Sequence, residues 1–127
     1  MVGENMKKMK LKITMITQNQ KTEYITIGNY DSEKKELSYQ EKQEVVTDVK
    51  LNLEEHKLIR DNKDFTMTYQ FDLNKETINT IYLKELGKTI DIQIKTEKYY
   101  YDNNKIEIEY ILIDSNDKIY YEVEYEV

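Results

Sequence analysis

Of the 19 Lys and Arg residues in this chain, one is Arg, at position 60. Arginine offers a planar fork of donors that lysine cannot imitate, and it grips a carboxylate or a phosphate with two parallel hydrogen bonds. A sequence that writes Lys almost everywhere and Arg once invites a chemical reason. Arg60 can hold the anionic group of a ligand. It can equally close one end of a fold by pairing with an internal Glu or Tyr, or sit at a rim in water.

A second group of interest is aromatic. Tyr69, Tyr110, Tyr121 and Tyr125 recur at positions that alternate with polar residues, and Phe65 joins the same row as Tyr69. Each tyrosine carries an apolar ring and a hydroxyl that needs a partner when buried. Together with Arg60, the side chains of Phe65, Tyr69, Tyr110 and Tyr121 are the candidate lining of a small-ligand site. Plain core filling is the competing reading. Ile111, Ile113 and Tyr120 fall on the opposite parity and mark an apolar patch, readable as a subunit contact such as a homodimer interface. Coverage by the N-terminal segment or a neighbouring loop explains the patch equally well.

Other chemistry is poorly supplied. His56 is the only histidine and there is no cysteine, so thiolate chemistry, disulfides and histidine-rich metal sites are ruled out, and neither a metal nor a cofactor is expected. Asp102-Asn103-Asn104 and Asp114 to Asp117 lack the spacing, central Gly and bidentate Glu of a calcium loop, and read as hairpin turns. Lys98-Tyr99-Tyr100-Tyr101 mixes a base with aromatics, as single-strand binders do, but the formal charge of −6 argues against nucleic acid. No catalytic constellation stands out.

Composition sets the frame. The 127 residues fit one domain, 1–127, with one core. There is no Ala, Pro or Trp, and Gly occurs three times. Ile, Lys, Asn and Tyr have AT-rich codons, so an AT-rich genome is the simplest source of the Lys and Tyr abundance. The Lys-rich start, Met1 to Lys12, lacks the apolar run of a secretory signal, and nothing approaches a membrane span. A soluble cytoplasmic protein with no membrane partner is expected.

The elements that carry these residues are strands. The dominant period is two: Phe65, Met67, Tyr69 and Phe71 alternate with Thr and Gln, and Ile119, Tyr121, Val123 and Tyr125 alternate with Tyr and Glu. The pattern predicts strands at 8–18, 21–30, 36–43, 45–54, 57–61, 64–73, 78–84, 88–101, 105–114 and 117–126. A single helical turn near Asn74–Thr77 is also allowed. All connections are short, so neighbours pair antiparallel. Ten twisted strands in one open sheet would leave edges bare; the expected architecture is an all-β antiparallel meander barrel of about eight to ten strands, with a two-sheet sandwich as runner-up.

Two hairpins can be put in register. A two-residue loop at Ser115-Asn116 sets Leu112 opposite Ile119, Tyr110 opposite Tyr121 and Ile108 opposite Val123. Glu109 then meets Glu122, Glu107 meets Glu124, and Ile111 meets Tyr120. Facing like charges are unfavourable, so that face must be wet or flanked by lysines. A two-residue loop at Asn62-Lys63 sets Arg60 opposite Phe65 and Leu58 opposite Met67. Ile90, Ile92 and Ile94 are out of phase with Tyr99 and Tyr101, which predicts a β-bulge between Thr96 and Tyr99.

The residues so placed resemble the YwiB-like family of small bacterial proteins. The likeness runs from about Lys8 to Val127. It is carried by Leu58-Ile59-Arg60 before a tight turn, by Tyr82 and Gly87 around a loop, by Ile94 and Thr96, and by Tyr110 and Leu112. The family usually shows a Thr-Pro-aromatic-Gly turn where this chain has Lys84-Glu85-Leu86-Gly87, and a Gly-containing segment that is missing around Val45–Asp48. The resemblance implies a calycin-like (lipocalin-like) barrel and carries no catalytic residues.

Two functional readings follow. The first is a non-enzymatic barrel that binds a small, partly apolar, anionic ligand at Arg60; it requires an internal cavity of a few hundred cubic ångströms. The alternative is a structural or protein-interaction module that works through its outer surface. An enzyme has no supporting residue set.

Overall fold

The computed structural model describes residues 6–125. Ten strands follow one another: β1 (Met6–Thr17), β2 (Gln20–Asp31), β3 (Glu36–Lys42), β4 (Val46–Asn52), β5 (Lys57–Asp61), β6 (Phe65–Gln70), β7 (Glu76–Leu83), β8 (Lys88–Tyr101), β9 (Lys105–Leu112) and β10 (Lys118–Tyr125). Each pairs antiparallel with its sequence neighbour, and β1 pairs with β10 to close a barrel. Closure excludes the open sheet and the sandwich, and it gives every strand a partner on both sides over part of its length. Asn74, where one helical turn was allowed, instead takes a left-handed turn conformation (φ 66°), and β7 starts at Glu76.

Alternation becomes burial in the way strand geometry requires. Along β9, Ile106, Ile108 and Tyr110 are buried while the residues between them stay partly accessible. Leu11, Ile13, Leu37, Leu51, Phe71, Ile94 and Val123 complete a continuous core. Each fully buried aliphatic chain stabilises the fold by roughly 1.5–3 kcal/mol. The strand expected over 64–73 ends at Gln70, but Phe71 remains 1% exposed, and its N–H donates to the His56 carbonyl (2.9 Å).

Both hairpin registers differ from the expectation by two residues. Tyr110 faces Ile119, Ile108 faces Tyr121 and Ile106 faces Val123. Arg60 faces Met67, and Leu58 faces Tyr69. A longer turn in one hairpin, and a turn placed one residue later in the other, are the cause. Leu112 N–H reaches the Asp117 carbonyl, and Asn62 N–H reaches the Phe65 carbonyl. The Asn62 side chain accepts from the N–H groups of Asp64 and Phe65 at 2.9 Å each, which stabilises the shifted turn. A slip of two preserves parity, so the same side chains still face inward. The bulge lies where the phase break put it, with the β8–β9 register shifting between Thr96 and Lys98.

Closure has one thin seam. β2 and β3 share three pairs, ending at Asn29 opposite Ser38, whereas β1 and β2 share twelve. Gly28 marks the pinch. A Cβ there would lie 2.5 Å from Leu11 Cδ1 and 2.6 Å from the Ser38 carbonyl oxygen, so only glycine lets the strands approach this closely. Past it the two strands part.

Candidate functional site

Where β2 and β3 lose their ladder, side chains span the gap from inside. The inner parity of β3 runs Leu37, Tyr39, Glu41, and that of β2 brings Tyr24 alongside. The Tyr24 hydroxyl donates to Glu41 Oε2 (2.6 Å). The other Glu41 oxygen receives the Arg60 guanidinium from β5 in a close ion pair. Deeper in, the hydroxyls of Tyr39 and Tyr121 bond to each other. Arg60 and Glu41 keep only 26% and 12% of their side-chain surface exposed, so the pair is largely desolvated and each charge depends on the other.

Burial dominates the electrostatics of this end. It pushes the phenols of Tyr24, Tyr39, Tyr110 and Tyr121 well above the ordinary tyrosine value. Glu41 adds to the shift at Tyr24 as a hydrogen-bond acceptor. These hydroxyls are thus neutral donors at any physiological pH, not candidates for proton transfer.

Of the five residues expected to line a ligand site, Arg60, Tyr69, Tyr110 and Tyr121 converge on one small internal void, and Phe65 does not reach it. Tyr69, Tyr110 and Tyr121 are all buried. The Tyr69 and Tyr110 rings lie 5.8 Å apart, and Phe71 packs on Tyr110 at 5.5 Å. The space left between Arg60, Tyr39, Tyr69, Tyr110 and Tyr121 is about 10 Å³, room for one water at most. The few hundred cubic ångströms required by an enclosed ligand are absent from it, because the tyrosines fill the volume themselves. Phe65 stands apart, half-buried opposite Leu83 on β7. Arg60 Nε is buried without a hydrogen-bond partner.

Ile111, Ile113 and Tyr120 are half-buried. Ile111 faces Lys118 and Lys95, and Tyr120 faces Glu109 and Ile16, so the expected Ile111–Tyr120 pairing does not occur. The Tyr120 hydroxyl lies 2.9 Å from Glu107 and 3.0 Å from Glu122. Glu107 and Glu122 face each other. Lys105 Nζ bridges both at 3.2 and 3.0 Å, and Lys98 reaches Glu107 at 2.8 Å. The lysine flank required by facing glutamates is therefore present. His56 sits in the turn between β4 and β5 with φ 56°, and its half-buried ring stacks on Tyr99 at 4.0 Å. Among the described residues no group of His, Asp and Glu could hold a metal.

Accessible space lies at one mouth of the barrel, where about 780 Å³ opens between Met9, Tyr30, Leu53, Tyr101 and Tyr125, and on the outer wall. A groove of about 870 Å³ runs over the outer faces of β2 to β5, with Ile27, Ile59, Lys42, Lys50, Asp48 and Asp61 along it. A second cleft of about 340 Å³ follows the parted seam, between Thr22–Thr26 and residues 40–43, and shares Thr26, Gln40 and Lys42 with the first. Ile25 and Ile27 project outward beside them, 62% and 60% exposed. The sequence reading passed over Glu41, Tyr24 and this groove. The inner parity of Leu37, Tyr39 and Glu41 was the available signal for the first. The groove had none, because it arises from strand divergence.

No protein-family model matches this sequence, and no curated protein matches it. Among solved structures, the crystal structure of the ywiB protein from Bacillus subtilis is similar: TM-score 0.67 at 19% sequence identity, covering 98% of this chain and 95% of that one. At that identity the likeness is one of fold. Among the described residues no helix is long and apolar enough to cross a membrane.

Proposed function

We propose that this barrel is a protein-interaction module that binds a carboxylate-bearing partner in the groove over β2 to β5. The carrying observation is the contrast between a tyrosine-filled interior, with about 10 Å³ left beside Arg60, and an outer groove of about 870 Å³. Arg60 already has its anion in Glu41, which supports a structural role for the one arginine. On this reading the module works in the cytoplasm, as its Cys-free composition suits. We also group it with the YwiB-like calycin-type barrels, on the residues that carry the resemblance and the likeness of fold.

Selection from a random peptide display library tests the proposal. The immobilised protein is expected to enrich acidic peptides, and the double variant Lys42→Glu/Lys50→Glu to lose them while melting normally. Failure to enrich any sequence, or enrichment indifferent to those two lysines, would overturn it.

The second reading, a small anionic ligand at Arg60, draws support from the unpartnered Arg60 Nε. It requires Glu41 to yield its place. Native mass spectrometry of protein purified from its own organism tests it: a bound mass that vanishes in Arg60→Lys supports the ligand, and a bare chain removes it.

A further inference from the structure

We infer that the β2–β3 seam receives an extended acidic segment of a partner protein by strand addition. The inference rests on the groove reading above and specifies its mode.

Main chain is the first argument. From Thr22 to Ile27, β2 pairs with β1 on one side only, and β3 residues 40–42 pair only with β4. Their seam-facing N–H and C=O groups are free to pair with an incoming strand, the row of partners that strand addition uses. The cleft between them, about 340 Å³, is lined by both segments. Its inner side is closed by the Tyr24–Glu41–Arg60 chain, so an added strand lies on the barrel wall and does not enter the core.

Side chains supply the specificity. An added strand sends alternate residues outward, beside Ile25 and Ile27. Every carboxylate at the two clefts is already engaged: Glu23 with Lys21 and Lys12, Glu41 with Arg60 and Tyr24, Asp48 with Gln40, and Asp61 with Lys84 and Thr66. Three exposed lysines are not. Lys42 and Lys50 line the groove, Lys10 pairs in the ladder with Ile27, and none of them has an ion pair among the described residues. Asp48 meets only the neutral Gln40 amide, so one unpaired carboxylate stands against these three lysines; the balance is positive on a chain of net charge −6, which calls for a segment with Asp or Glu at alternate positions. A second copy docking by the same face would set these lysines against their own counterparts, and this disfavours self-association.

The test uses the full chain, labelled for amide NMR, and three synthetic peptides of about nine residues. One alternates Glu and Val. The second is the same peptide with alternate backbone nitrogens methylated. The third has Lys for Glu. The first should slow amide exchange across Thr22–Ile27 and residues 40–42 roughly tenfold, and methylation should weaken binding by at least about tenfold. The Lys peptide should not bind. Equal binding of the methylated peptide at the groove would overturn strand addition and leave the groove reading intact. The same holds if library-selected peptides bind the groove without protecting those amides. Absence of groove binding by any acidic peptide would overturn both. A concentration-dependent dimer that protects the seam would overturn the choice of partner.

Discussion

Tyr24 on β2 and Glu41 on β3 are joined by a 2.6 Å hydrogen bond in the stretch where their strands share no ladder. Together with the Arg60–Glu41 ion pair, this bond replaces main-chain pairing with a side-chain bridge. The only arginine in the chain is thereby part of the barrel's closure.

Removing one partner should therefore cost more than removing both. Arg60→Met strands a mostly buried carboxylate, and partial exposure tempers the penalty to about 2–3 kcal/mol. Arg60→Met/Glu41→Leu should recover more than half of that. Urea denaturation of the two single variants and the double variant gives the coupling directly. Additive losses would show the pair to be energetically idle.

The two described glycines should respond to alanine for different reasons. At Gly28 the backbone conformation is ordinary but a Cβ meets Leu11 and the Ser38 carbonyl. Gly28→Ala should destabilise by about 1–3 kcal/mol through overpacking and shift the amide resonances of β2 and β3. At Gly87 the φ is +60° and nothing lies within 4 Å of a Cβ. Gly87→Ala should cost roughly 1–2 kcal/mol from backbone strain alone, with resonances outside the β7–β8 turn unmoved. Thermal melts and amide spectra separate the two cases.

Much of this architecture was legible because parity survives errors of register. Both hairpins were misplaced by two residues, and yet Tyr110, Tyr121, Leu58 and Arg60 were assigned to the correct face. The bulge at Thr96–Lys98 was visible as a phase break. Turn position and loop length were not visible, since the first depends on Asn62 bonding its own turn and the second on Leu112 reaching Asp117. The state of the interior was not visible either. Parity says which tyrosines look inward, not whether their rings meet. Glu41 escaped notice because its significance comes from Tyr24 and Arg60, which lie 17 and 19 residues away.

Acid should weaken the fold through Glu107. Lys98 is the leading cause that holds its carboxyl down at about 2, with Tyr120 and Lys105 adding to it against a burial effect that opposes it. A depressed pKa means that the folded state prefers the ionised form. The stabilisation is complete above the unfolded value of about 4.3 and disappears as the pH falls from there through about 2. Lys98→Met should raise the Glu107 midpoint, read by carboxyl NMR, and shift acid unfolding to higher pH. An unchanged midpoint would show that Lys98 is not what holds the carboxyl down.

At the alkaline limit the tyrosines should act in the opposite sense. Burial raises the phenols of Tyr39, Tyr110 and Tyr121, and takes Tyr125 up to about 12. A raised phenol favours the protonated folded state. Its contribution is whole below the unfolded value near 10 and is lost as the pH climbs towards the folded one. In ultraviolet titration the buried set should ionise only together with loss of β-sheet circular dichroism. The Tyr39–Tyr121 hydroxyl pair sharpens the test. Tyr121→Phe leaves the Tyr39 hydroxyl buried without that partner and should cost about 1–2 kcal/mol, while Tyr39→Phe/Tyr121→Phe, which removes both hydroxyls, should cost less than the single change. Ionisation of every tyrosine in one step near pH 10, with the sheet intact, would contradict a filled interior.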